Sequence, residues 1–264
     1  MKQIYLLSIT ILFAVNIEAQ VAGISASKLN AVCVDVVDDK KLEFEPGFYH
    51  SSTNKFWDSD SRLSNQYSAD SINHISNMFM RVTYGLFDKI ELGLVVPIDM
   101  SAIDFGMRYV ISQKEKWGFA AIAGVNAPLG NALVIRDKHT VLNTAQVGLG
   151  GVVSYNPSEN FSVDFNTGYG KYFDQNNIDY LTYVSADAGY YFFSHTFQVV
   201  AGFGYKNFQH IKTSDDQFLM TFYPGITVET GKRYILVLTS PIDVYGKNII
   251  KTFNLGFALT ISLD

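Results

Sequence analysis
The sequence predicts an all-β fold, an antiparallel up-and-down transmembrane β-barrel of about 12 strands. Three observations carry that prediction. Apolar residues alternate with small or polar ones from residue 41 onward, with turn residues at the breaks. Short and long connections tend to alternate along the chain. The less apolar strand face is built mostly from Gly, Ala, Ser, Thr and Asn rather than from Lys and Glu. Composition fits this, because 48% of residues are hydrophobic, yet no apolar run approaches the ~20 residues of a membrane helix. No linker or charge block divides the 264 residues, so one barrel accounts for 41–264.

The first element, "MKQIYLLSITILFAVNIEAQ", predicts a signal peptide over residues 1–19. Lys2 supplies the positive end, Ile4 to Val15 the short apolar core, and Ile17-Glu18-Ala19 the cleavage site. Residues 20–40, "QVAGISASKLNAVCVDVVDDK", are either an N-terminal plug folded inward or a periplasmic tail. Cys33 is the only cysteine, which excludes an intrachain disulfide. A formal net charge of -5 argues against the basic face of a nucleic-acid binder.

Strands are expected at 41–56, 72–86, 89–100, 103–111, 117–127, 144–155, 161–172, 180–192, 197–208, 218–229, 234–245 and 249–263. The short connections are "FD" at 87–88, "SQKEK" at 112–116, "NPSEN" at 156–160, "FSHT" at 193–196 and "TGKR" at 230–233. The longer set comprises 57–71, 128–143, 173–179 and 209–217, with brief exceptions near Ser101 and Gly246. A membrane barrel has this asymmetry, short turns facing the periplasm and long loops facing out. A Greek-key sandwich has no reason for it.

Alternation alone does not separate a soluble sheet from a barrel, since both hide every second residue. The other face decides. A soluble antiparallel sheet carries Lys, Glu and Thr on its wet side. Here Phe197, Val199, Ala201, Phe203 and Tyr205 oppose Gln198, Val200, Gly202 and Gly204. Phe253, Leu255, Phe257, Leu259 and Ile261 oppose Asn254, Gly256, Ala258, Thr260 and Ser262. Small inner residues suit a closed barrel. A basic residue facing lipid at midplane costs roughly 2–4 kcal/mol, so one parity of each strand should lack charge, and largely does. Strands 117–127 and 180–192 alternate less cleanly, which leaves their faces open. Tyr84, Tyr109, Trp117, Tyr155, Tyr172, Tyr180, Tyr190 and Tyr234 stand near strand ends, where an aromatic girdle lies.

The segment "YGLFDKIELGLVVPI" resembles a motif of outer-membrane barrels in the phenol-degradation meta-pathway family. The matching positions are Tyr84, Gly85, Leu86, Asp88, Glu91, Leu92, Gly93, Leu94 and Pro97. The resemblance covers one hairpin and implies an outer-membrane barrel that moves small hydrophobic or aromatic compounds. It brings no catalytic residues with it.

Inner-face parity makes Arg81, Glu91, Asp104, Arg108, Asp164, Asp187 and Lys206 the candidate lumen-lining residues. They form either charge rings that bias which solutes pass or a structural polar filling. Asp104 and Arg108 are too far apart on one strand for an easy direct contact. Catalysis has one candidate: His50/Ser52 and His74/Ser76 each place a His and a Ser on one strand face, next to the first long loop. A similar His-x-Ser-Asn element occurs in outer-membrane phospholipases, and a serine nucleophile needs a base within hydrogen-bond reach. His139, His195 and His210 lack ligand spacing, so neither metal nor cofactor is expected. The reading is a non-enzymatic passive channel in the bacterial outer membrane. Its expected partners are outer-membrane lipid, the barrel-assembly machinery and a small solute. The alternatives are a phospholipase-like lipid hydrolase and a structural barrel with interacting loops.

Overall fold
The structure is a computed structural model that describes residues 31–66, 71–129, 145–173, 178–193, 196–211, 216–231 and 233–263. The expected signal peptide and residues 20–30 lie outside these.

The strands are β1 (Leu42–Trp57), β2 (Leu63–Asn65), β3 (Asn73–Phe87), β4 (Ile90–Pro97), β5 (Ala102–Gln113), β6 (Trp117–Pro128) and β7 (Gln146–Ser158). They continue as β8 (Phe161–Tyr172), β9 (Ile178–Phe192), β10 (Phe197–His210), β11 (Gln217–Thr230), β12 (Tyr234–Thr239), β13 (Ile242–Lys247) and β14 (Ile249–Leu263). Each long strand pairs antiparallel with its neighbours in sequence, and β14 closes on β1 from Leu42↔Leu263 to Trp57↔Ile249. Closure leaves no open edge to face lipid.

Two of the fourteen strands add nothing to the count around the wall. β2 is a short flap on β1, inside what the sequence suggested was plain loop. β12 and β13 together occupy one place between β11 and β14, so the barrel has twelve staves. The expected strand 234–245 is thus split. Pro241 is the cause: it has no N–H to donate, and the ladder breaks at Ser240-Pro241. Beyond the break β13 and β14 share a single pairing, Ile242↔Phe253. There the Asp243 carboxylate accepts from the Thr252 N–H at 2.8 Å and its hydroxyl at 2.7 Å, standing in for missing ladder bonds.

Burial follows the pleat. Gly118, Ala120 and Ile122 of β6 are buried while Trp117 and Phe119 are exposed. On β9, Leu181, Tyr183, Ser185 and Asp187 are buried while Val184 and Tyr190 are exposed. Both faces left open by the sequence are therefore assigned. The exposed parity is a belt of apolar side chains, Phe105, Leu149, Phe203 and Phe257 among them. At its short-turn edge Tyr84, Tyr109, Trp117, Tyr190 and Tyr234 stand exposed, and Trp117 stacks on Tyr155 with centroids 4.3 Å apart. Tyr172 is not in the girdle. It shares its parity with Asp164 and Asn166, which puts it on the inner face of β8.

Candidate functional site
The inside of the barrel holds a piece of chain that belongs to no strand. Ala31, Val32, Cys33, Val34 and Val37 are all buried. Their sequence, "AVCVDVV", alternates like a strand, and Val32 and Val34 pack on Val110, Ala120, Ile122 and Val152 of β5, β6 and β7.

The wall's side chains supply the bonds that a neighbouring strand would have given. Asn166 of β8 grips Val32 twice: its Oδ1 accepts from the backbone N–H at 2.7 Å, and its Nδ2 donates to the carbonyl at 2.8 Å. The Val34 N–H donates to Ser154 Oγ of β7 at 2.9 Å, and Ser154 donates onward to Asp164. The Ala31 N–H donates to Asp187 of β9. Arg108 of β5 donates to the Cys33 carbonyl at 2.7 Å. The Val37 N–H donates to Glu91 of β4 at 3.0 Å. Buried backbone groups must find partners, and these five side chains, Asn166, Ser154, Asp187, Arg108 and Glu91, supply them.

Charge is balanced within the same cluster. Arg108 and Glu91 are fully buried and bond at 2.7 Å, with their strands in direct register. Such a pair is costly to desolvate and costly to break, because removing one partner strands the other. Here each partner also holds the segment. Glycines make the room: a Cβ on Gly118 would lie 2.9 Å from Val34, and one on Gly85 would lie 2.0 Å from the Asp38 carbonyl oxygen. Gly85 also fixes where the segment leaves the lumen. Its carbonyl accepts from the Lys40 N–H at 2.8 Å, and its N–H donates to Lys41 at 3.0 Å. The segment thus arcs along the wall from β9 to β3, at the end where the short turns lie.

The candidate lumen residues can now be placed. Glu91, Arg108, Asp164 and Asp187 converge on the segment. Asp104 does not meet Arg108; it accepts from Asn126 near the opposite, long-loop end of β5 and β6. Arg81 pairs with Glu45, which also accepts from Thr260. Lys206 lies buried on β10. Sequence reasoning missed Asn166, Ser154 and Gly118. An amide or hydroxyl on the inner parity was visible, but not what it bonds.

The catalytic candidates sit elsewhere. His50, Ser52, His74 and Ser76 occupy the outward parity of β1 and β3. The bond formed is between His50 Nδ1 and Ser76 Oγ at 2.8 Å, across the strands rather than along them. The His50 ring stacks on His74 with centroids 5.5 Å apart, and Ser52 donates to the Phe253 carbonyl at 3.4 Å.

Residues 60–259 match the family described as "Putative MetA-pathway of phenol degradation". The chain belongs to that family. An outer membrane channel from Pseudomonas putida F1 superposes with a TM-score of 0.69 at 14% identity, over 89% of this chain and 100% of that one. The KdgM porin, in complex with disordered oligogalacturonate, gives 0.54 at 6% identity over 83% and 99%. The NanC porin gives 0.53 at 9% over 84% and 99%. Among curated proteins none matches. Family, closed wall and apolar belt together make this chain an outer-membrane β-barrel.

Proposed function
We propose that the chain is a passive outer-membrane channel for small apolar solutes, kept shut at its periplasmic end by its own residues 31–37. The supporting observation is that what fills that end is not part of the wall. The ladders from β3 to β9 run strand to strand, and residues 31–37 are held by side chains of that wall rather than by its ladders. It can leave without opening the sheet.

Apolar patches within the lining support a cargo of that kind. Val95, Val110, Ile122, Val152 and Val200 are buried on the inner parity, with Leu181, Tyr183, Leu219 and Tyr223 nearer the loop end. A water-filled porin has a polar interior. Here much of the charge is already paired, so an apolar solute gains contact without displacing tightly held water. The family's description names phenol degradation, and the channel from Pseudomonas putida has the same fold, both in keeping with this reading.

Entry of an apolar fluorescent probe such as N-phenylnaphthylamine tests it, in cells whose outer leaflet blocks the probe. Cells producing the chain without residues 20–37 take it up several-fold faster than cells producing the intact chain. Equal rates would count against the proposal.

A further inference from the structure
The polar residues on the outside of β1 and β3 call for an explanation of their own. Below them both strands turn only apolar groups outward: Phe44 and Phe48 on β1, and Met78, Met80 and Val82 on β3. From Met78 to Leu86, at ~3.4 Å per residue and a tilt near 40°, that band stands roughly 21 Å tall, close to the ~25 Å of a bilayer's apolar layer. The rung above Phe48↔Met78 is His50↔Ser76, and the next is Ser52↔His74. These four groups therefore stand at the level of the outer headgroups.

Their chemistry is that of donors. With the Ser76 hydroxyl donating to His50 Nδ1, the ring proton sits on Nε2 and is left to bond a ligand; the charged ring presents the same N–H. His74, stacked alongside and exposed, adds a second imidazole. On the adjoining β14, Lys251 shares the outward parity, its Nζ 5.6 Å from the Trp57 ring centroid. Among the described residues, the outward positions of β1, β3 and β14 carry no carboxylate. Phe48 and Met78 lie on the rung below, where acyl chains would rest, and Leu255 and Phe253 flank His50 and Ser52 on the β14 side.

We propose that His50, His74 and Lys251 form a site on the outer wall for the phosphate-bearing headgroup of an anionic lipid. The donors and the lysine meet the phosphate, and the apolar rung beneath selects a lipid over free phosphate. The site is independent of whether the lumen conducts.

Native mass spectrometry of the folded full chain in detergent tests this with three probes: phosphatidylglycerol, diacylglycerol of the same chains, and inorganic phosphate. Phosphatidylglycerol is retained, and the double variant His50→Ala/His74→Ala lowers retention roughly tenfold, as expected for lost bonds to a charged group. Its barrel is checked by heat-modifiable gel migration. If that variant does not fold, His74→Gln and Lys251→Ala are each expected to lower retention about threefold. Equal retention of diacylglycerol, or variants that bind like the parent, overturns the site. So does inorganic phosphate bound as tightly as the lipid. Release of fatty acid from the bound lipid would also overturn it, making Ser76 a nucleophile and the patch a hydrolase.

Discussion

The two halves of the inner wall satisfy their polar groups differently. From β3 to β9 those near the short turns are directed at residues 31–37: Asn166, Ser154, Arg108, Glu91 and Asp187 all bond the segment's backbone. From β10 round to β1 they are directed at one another. Thr221 donates to Asp243 at 2.7 Å, Thr227 to Gln198 at 3.2 Å, and Thr260 to Glu45. One half bonds an occupant, while the other bonds chiefly within the wall. Buried groups that lose a partner bear the full desolvation penalty, so the segment-holding half is where a change can switch the lumen rather than merely weaken it.

The strongest break of that contrast is removal of residues 20–37. Water then solvates the uncovered groups of β3 to β9, and the lumen opens. Small-solute flux in liposome swelling is expected to rise about tenfold or more, with the heat-modifiable shift of a folded barrel retained. Unchanged flux would mean that the segment is not what closes the lumen. Next comes Glu91→Ala. It releases the Val37 N–H and leaves Arg108 buried without its carboxylate, a loss of roughly 3–5 kcal/mol on the precedent of broken buried pairs. Both a lower unfolding midpoint and higher flux are expected. A midpoint shift without any gain in flux would make Glu91 a wall residue only.

The sequence carried the wall far better than its contents. Period-two alternation exposes parity directly, so Arg81, Glu91 and Arg108 could be put on the inner face before any contact was known. The Glu91–Arg108 pair follows from the register of adjacent strands, which a short connection near Ser101 constrains. Nothing local reveals that Asn166 grips Val32, because these residues are 134 apart and an inward amide has no directional signature. The alternation in "AVCVDVV" is a local hint of an extended segment, in keeping with the inward plug as one of the two readings of residues 20–40. The break at Pro241 was equally visible, since a proline inside a strand pattern argues for an edge or an interruption. The motif hairpin is a different case. Glu91 reads as lumen lining from its parity, and the structure adds that it holds Val37 while Gly85 holds the segment's exit.

Two finer changes sharpen the comparison. Gly118→Val places methyl groups where Val34 already sits, since even a Cβ there approaches to 2.9 Å. The β-strand propensity of valine favours the wall, so the strain falls on the segment. Flux is expected to rise two- to fivefold by this crowding of an overpacked site, less than on full deletion, and unchanged flux would show that the segment can shift without leaving. The smallest effect on flux belongs to Asp243→Asn, on the half that bonds chiefly within the wall. The substitution keeps the shape but gives up one carboxylate oxygen of the group that receives Thr221 and both donors of Thr252. Weaker charge-assisted bonds at the seam between β13 and β14 should cost about 1–3 kcal/mol, read as a lower midpoint in urea or heat. None of these groups touches residues 31–37, so flux should stay at the parent level. A rise in flux equal to that of Gly118→Val would show that the two halves are coupled through the wall.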